Sequence, residues 1–93
     1  MEIGTFVVVR DHRAGVHFGR LASPATDPVV VLTEARHAWS WPGALSAASL
    51  ATCGPSGGRI SATVESVVLR DPIAVYAASE TASAAWAAAP VDG

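Results

Sequence analysis

Two runs of β-branched and aromatic residues lie near the start of the chain, separated by only a few turn-forming residues. The first covers residues 3–10 (IGTFVVVR) and the second covers residues 16–22 (VHFGRLA). The segment between them contains Asp11 and ends at Gly15, a residue that can adopt a positive φ. Runs of this composition on either side of such a turn predict an antiparallel β-hairpin. Gly19, inside the second run, indicates a bulge or the close approach of a ligand or another backbone.

The rest of the chain alternates between short strands and short helices. We predict a helix that is capped by Thr33 and stopped by Pro42, and a second helix that is stopped by Gly54. A last helix is capped by Ser79 and carries Trp86 on its apolar face. The predicted strands cover residues 29–32, 60–69 and 73–77, and the first two helices cover residues 33–39 and 43–52. The order ββ-β-αα-ββ-α predicts an α+β fold: a mainly antiparallel sheet of hairpins with two or three short helices on one side.

Composition limits the kind of protein this can be. With 93 residues, 51% hydrophobic and 15% charged, the chain is expected to fold as a single domain, residues 1–93, rather than to be disordered. Cys53 is the only cysteine, so no disulfide framework can support so small a core, and we expect a homo-oligomer. A net charge of −2 argues against a dedicated binder of duplex nucleic acid. The apolar start is too short to span a bilayer and lacks a basic leader, so we expect a cytoplasmic protein with no membrane partner.

The densest chemistry lies in the sequence RHAWSW, which starts at Arg36 and ends at Trp41. If this segment is helical, Arg36 and Trp39 share a face at i,i+3 spacing. Indole rings stack on flat rings and a guanidinium binds phosphate, so Arg36, His37, Trp39 and Trp41 are candidates for holding a nucleotide-like ligand. The structural alternative is that one tryptophan anchors the core and the other lines an oligomer interface.

A second candidate site surrounds the predicted hairpin turn. Arg13, His17 and Arg20 flank Gly15 and Gly19, where exposed backbone N–H groups and nearby arginines could hold an anion. The spacing is not that of a phosphate-binding loop, and a hairpin that needs glycine for structural reasons explains the same residues.

The residues favour neither metal binding nor catalysis. The three imidazoles, His12, His17 and His37, have no cysteine pair and no H-x-x-x-H spacing, so we expect no metal. No G-x-S-x-G nucleophile motif occurs, and Cys53 is expected to be an inert, small hydrophobic residue late in a helix. The acidic residues fall on predicted turns and solvated faces. We therefore expect no cofactor and no enzymatic activity.

Several motifs together resemble a small family of tailed-phage proteins that has no assigned function. The motifs are FVVVR and AGVHFG in the hairpin, ARHAWSWPGALS at residues 35–46, and VESVVL followed by IAV near the end. By analogy, small phage proteins with an aromatic and arginine cluster resemble sponges that sequester nucleotide immune signals without cleaving them. The resemblance implies action in the cytoplasm of an infected host, on a cyclic nucleotide or an ADP-ribose derivative. The alternatives are a structural or assembly component of the virion and a protein–protein inhibitor of a host factor.

Overall fold

The computed structural model describes residues 1–40 and 46–91 as six strands and two helices. The elements follow one another in the order β-β-β-α-β-β-β-α. The strands are β1 (Phe6–Asp11), β2 (Gly15–Leu21), β3 (Val30–Ser40), β4 (Arg59–Ile60), β5 (Val64–Leu69) and β6 (Pro72–Ala77); the helices are α1 (Ala47–Thr52) and α2 (Glu80–Ala88). This is the predicted α+β class with a mainly antiparallel sheet. Among the described residues, no helix is long and apolar enough to cross a membrane.

All six strands join one sheet whose centre is built from β1, β2 and β3. The order along the sheet is β4-β3-β2-β1-β6, and β5 also pairs with β3. The long strand β3 therefore has two partners on its outer edge: β5 beside its first half and β4 beside its end. All of these strand pairs are antiparallel, and an isolated parallel bridge joins Ile60 to Val91.

The predicted hairpin is confirmed. β1 and β2 pair from Phe6–Arg20 to Asp11–Gly15, and Gly15 has a φ of 81°. The Asp11 carboxylate organises the turn by accepting hydrogen bonds from the backbone N–H groups of Arg13 and Ala14, each at 2.9 Å. A third backbone N–H, that of Asp71, donates to the other carboxylate oxygen and ties this turn to the one before β6.

The helix predicted for residues 33–39 is wrong, because those residues belong to β3. Glu34 takes a φ of +50° and causes a bulge against β2, and the bulge interrupts the alternation by which a strand is recognised in a sequence. Gly19 lies opposite that bulge. A Cβ there would lie 2.9 Å from the carbonyl oxygen of Thr33, so the glycine permits the close approach of two backbones. Pairing with two neighbouring strands overrides the local helical pattern.

The sheet packs its two faces differently. On one face a helix-side cluster contains residues of β1, β2, β3, β4 and both helices: Val8, Val16, Phe18, Ala38, Ala47, Leu50, Ala51, Ile60, Ala82 and Trp86. On the other face an opposite cluster contains only residues of the strands: Val7, Val9, Leu21, Val30, Leu32, Ala35 and Leu69. Both helices thus pack on one side of the sheet, as predicted.

The predicted end of the chain is largely confirmed. Ser79 is the N-cap of α2, with its hydroxyl oxygen accepting from the N–H of Ala82 at 3.0 Å, and Trp86 is completely buried.

The strand predicted for residues 60–69 is divided into β4 and β5. The first described residue of the second predicted helix is its N-cap Ser46; residues 43–45 lie outside the described part of the chain.

The end of α1 gives one confirmation and one correction. Gly54 has a φ of +78° just beyond the helix, which fits its predicted role as the stop. Cys53, expected late in this helix, is instead its C-cap residue, and its side chain is exposed. The short helix ends one residue before Cys53, which places that side chain at the surface.

Candidate functional site

The structure does not bring the predicted site residues together in one place. Arg36 is buried under α2, at 4% exposure, whereas Trp39 is 50% exposed near the end of β3. The shared helical face predicted for these two residues does not exist, because they lie in a strand. Trp41 lies outside the described residues.

Arg36 binds the C-terminal end of α2. Its Nη1 donates to the carbonyl oxygens of Trp86 and Ala89, at 2.6 and 2.8 Å, and its Nε donates to the carbonyl oxygen of Ser61 at 2.8 Å. A cation at the C-terminus of a helix is stabilised by the partial negative charge of the unpaired carbonyl groups. Desolvation by burial lowers the pKa of Arg36, although an arginine side chain remains protonated in proteins. The main role of this guanidinium is to join β3 to α2.

Three aromatic rings continue the packing around Arg36. Phe6 stacks on Phe18 with ring centroids 5.2 Å apart, and Phe18 stacks on Trp86 at the same distance. Register places Phe18 directly beside Arg36, and the indole N–H of Trp86 donates to the carbonyl oxygen of Leu50 at 3.1 Å. This stack anchors α2 and α1 to the sheet. It is a structural role of the kind that the sequence left open for one tryptophan of RHAWSW, and among the described residues it belongs to Trp86.

His17 and His37 form a stacked pair of imidazoles on β2 and β3. They are cross-strand neighbours, with ring centroids 4.4 Å apart and an interplanar angle of 10°. His17 alternates with Val16 and Phe18 of the helix-side cluster, so it points to the other face of the sheet. Its Nε2 lies 2.8 Å from the carbonyl oxygen of Ala14, and a Cβ on Gly15 would lie 3.1 Å from Nε2 of His37. The pair therefore supports the base of the hairpin turn.

The protonation of this pair follows from its surroundings. Burial lowers the pKa of His17 most, and the neighbouring His37 lowers it further, against the raising effects of the Ala14 carbonyl oxygen and of Asp11. Burial also lowers the pKa of His37. Desolvation alone would raise the pKa of Asp11, but the N–H groups of Ala14, Arg13 and Asp71, together with His17, bring it below its usual value. At neutral pH the turn thus combines neutral imidazoles with a charged carboxylate.

Trp39 and Arg59 form an exposed aromatic and cationic pair. The guanidinium carbon of Arg59 lies 5.4 Å from the centroid of the Trp39 ring, within the range of a cation–π contact. β4 brings Arg59 beside β3, where it pairs with Ser40. No local sequence pattern indicates Arg59, which lies 20 residues beyond Trp39 in the chain; only the pairing of β4 with β3 brings the two together.

The two hairpin arginines have different surroundings. Arg13 is exposed in the turn between β1 and β2. Arg20 is half exposed; its Nε donates to the carboxylate of Glu34 in an ion pair, and its guanidinium carbon lies 4.3 Å from the centroid of the Phe6 ring. The predicted anion site around the hairpin is therefore not one cluster. Arg13 lies in the turn, His17 belongs to the imidazole pair, and Arg20 lies over Phe6 of the aromatic stack.

Within residues 1–40 and 46–91, no group of three or more His, Cys, Asp or Glu side chains could hold a metal ion. No curated protein and no solved structure matches the chain. A family model described as a domain of unknown function, DUF6948, matches residues 4–86, which is most of the sequence. This agrees with the predicted resemblance to a family that has no assigned function. The chain belongs to the DUF6948 family.

Proposed function

We propose that this chain is a phage anti-defence protein that binds a nucleotide-derived immune signal and sequesters it without cleaving it. The ligand class is a cyclic nucleotide or an ADP-ribose derivative, and the protein acts as a homo-oligomer in the host cytoplasm. The observation that carries the proposal is the half-exposed indole of Trp39 with the Arg59 guanidinium beside it.

The chemistry of this pair suits a base and a phosphate. An exposed indole offers a flat surface on which a purine or pyrimidine stacks, and base–aromatic stacking contributes about 1–3 kcal/mol per base. A guanidinium next to that surface binds a phosphate through two N–H groups in a fixed geometry. His37 lies two residues before Trp39 and is half-buried. The proposal therefore centres the site on Trp39, Arg59 and His37, with Trp41, Arg13, Arg20 and His17 as further candidates.

Depletion of a signal from solution tests the proposal. The purified protein is incubated with individual cyclic dinucleotides and ADP-ribose isomers, the filtrate is analysed, and the retained protein is then denatured by heat. We expect one signal to disappear from the filtrate and to return intact after heating. If no signal is depleted, the protein is not a sponge; if the signal returns as a degraded product, the protein is an enzyme.

Variants connect that result to the site. Trp39→Ala and Arg59→Gln should each abolish depletion while costing no more than about 1 kcal/mol of stability, because both side chains are exposed. Arg10→Gln is the matched control: Arg10 is an exposed arginine on β1, outside the Trp39–Arg59 pair, and its loss should leave depletion intact. Depletion that survives loss of both Trp39 and Arg59 would place the ligand elsewhere.

Exposed apolar residues on the outer strands favour a second candidate, a virion or assembly component. Val64 and Val68 of β5 are 46% and 48% exposed, and Ile73 of β6 is 55% exposed. Each of these strands pairs with only one neighbour among the described strands, so each offers an edge to a partner. Mass spectrometry of purified virions separates the candidates, because an assembly component remains in the particle and a sponge does not.

A further inference from the structure

A cavity of about 400 Å³ opens between α2 and the aromatic stack, away from the Trp39–Arg59 pair. We call it the α2 cavity; its lining includes Phe6, Phe18, Glu34, Arg36, Ser83 and Ala87. Two phenyl rings and the methyl group of Ala87 make part of that lining apolar. Arg36 adds a positive charge that is almost completely buried.

The hydrogen bonding of Arg36 is incomplete. Nε and Nη1 donate to three carbonyl oxygens, but Nη2 is buried and has no hydrogen-bond partner. Leaving a buried donor without a partner costs about 1–3 kcal/mol, and more when the group is charged. Among residues 1–40 and 46–91, no carboxylate forms an ion pair with this guanidinium. Nη2 therefore lacks an acceptor, and the positive charge of Arg36 has no anionic side chain paired with it among the described residues.

The charges around the cavity limit the choice of ligand. Glu34 contributes a carboxylate to the lining, and Arg20 pairs with it, so the surplus positive charge is that of Arg36 alone. One guanidinium nitrogen and one unbalanced charge suit a monoanion better than a phosphate dianion. The aromatic and methyl part of the lining suits a flat apolar body attached to that anion.

We propose that the α2 cavity binds a small aromatic carboxylate, with the carboxylate group beside the Arg36 guanidinium and the ring packed against Phe6, Phe18 and Ala87. This site shares no residue with the Trp39–Arg59 pair, and the inference does not rest on the proposed function. Such a ligand would bridge β3 and α2 through the same guanidinium that already joins them.

Titration of the full chain with benzoate, followed by nuclear magnetic resonance, tests the proposal. Benzamide is the matched probe, because it keeps the ring and removes the charge. We expect saturable shifts of the Arg36 Nε–H and Ala87 methyl signals with benzoate below about 10 mM, and at least about tenfold weaker binding of benzamide. Equal binding of the two probes, or no saturation by benzoate, would overturn the proposal.

Two substitutions on one helix locate the site without disturbing Arg36. Ala87→Leu fills the α2 cavity, whereas Ala88→Leu adds the same group at an exposed neighbour that lines a different groove. We expect the first to weaken benzoate binding by about tenfold or more and the second to leave it unchanged. If both variants bind benzoate like the parent chain, the ligand does not enter the α2 cavity.

Discussion

Trp86 and Trp39 each lie near an arginine, yet the two regions use the same pair of side chains in different ways. Around Trp86 the rings stack in the core and the Arg36 guanidinium donates to backbone carbonyl oxygens at the end of α2. Around Trp39 the indole is half exposed, with the Arg59 guanidinium 5.4 Å from the ring centroid. The comparison teaches that burial decides the role of such a pair: in the core it joins a strand to a helix, and near the end of β3 it forms an exposed surface.

The largest difference between the two regions should appear when each indole is removed. Trp86→Ala should destabilise the fold by about 3–5 kcal/mol, because it deletes a buried ring from the stack on Phe18. Trp39→Ala should change stability by less than about 1 kcal/mol, because its ring is half in solvent. Urea unfolding followed by circular dichroism measures both. Similar losses would mean that Trp39 is also an anchor, and the comparison would fail.

The two guanidinium groups provide the next test. Arg36→Met should cost about 3 kcal/mol, since it leaves the carbonyl oxygens of Ser61, Trp86 and Ala89 without their donor. Arg59→Met should cost about 0.5–1 kcal/mol, the size of an exposed cation–π contact. The same unfolding experiment applies. A larger effect at Arg59 than at Arg36 would reverse the structural and exposed roles assigned here.

Two glycines test how tightly each region is packed. Gly54 and Gly15 have nearly equal φ values, +78° and +81°, so alanine is strained at both by about 1–2 kcal/mol. At Gly54 the new Cβ would lie 2.5 Å from the Cβ of Ala85, whereas at Gly15 it would meet only the end of the His37 ring at 3.1 Å. Gly54→Ala should therefore cost about 1 kcal/mol more than Gly15→Ala, measured by thermal unfolding. Equal costs would show that α1 and α2 can move apart freely.

The pH dependence of stability tests whether the two imidazoles are neutral in the folded protein. His17 and His37 have folded pKa values below the unfolded value, so the unfolded chain binds more protons and stability falls as the pH drops below about 7. The slope is at most about 1.4 kcal/mol per pH unit for each imidazole. Asp11, with its pKa lowered, adds a separate loss below its unfolded pKa of 3.8.

Urea unfolding at a series of pH values measures that slope. The double variant His17→Gln, His37→Gln should flatten the profile between about pH 5 and 7. A profile that the double variant does not alter would assign the acid sensitivity to other groups.

Local sequence signals predicted the hairpin, the Ser79 cap and the start of α2, because each depends on residues that are adjacent in the chain. The helix predicted for residues 33–39 failed because the bulge at Glu34 disrupts the alternation expected of a strand. The roles of Arg36 and Arg59 depend on contacts with partners 50 and 20 residues away. Such contacts require knowledge of strand pairing and helix packing, which the sequence alone did not provide.

The bulge at Glu34 also changes which side of the sheet each half of β3 serves. Before it, Val30 and Leu32 enter the opposite cluster; after it, Ala35 does so, and Ala38 joins the helix-side cluster. Before the bulge the even-numbered side chains of β3 face the opposite cluster, and after it the odd-numbered ones do. A one-residue deletion here would move the six following side chains of β3 to the other face of the sheet. The imidazole of His37 would then point toward the helices and the guanidinium of Arg36 away from them. The number of residues in β3, and not only their composition, therefore decides which charged side chains are buried.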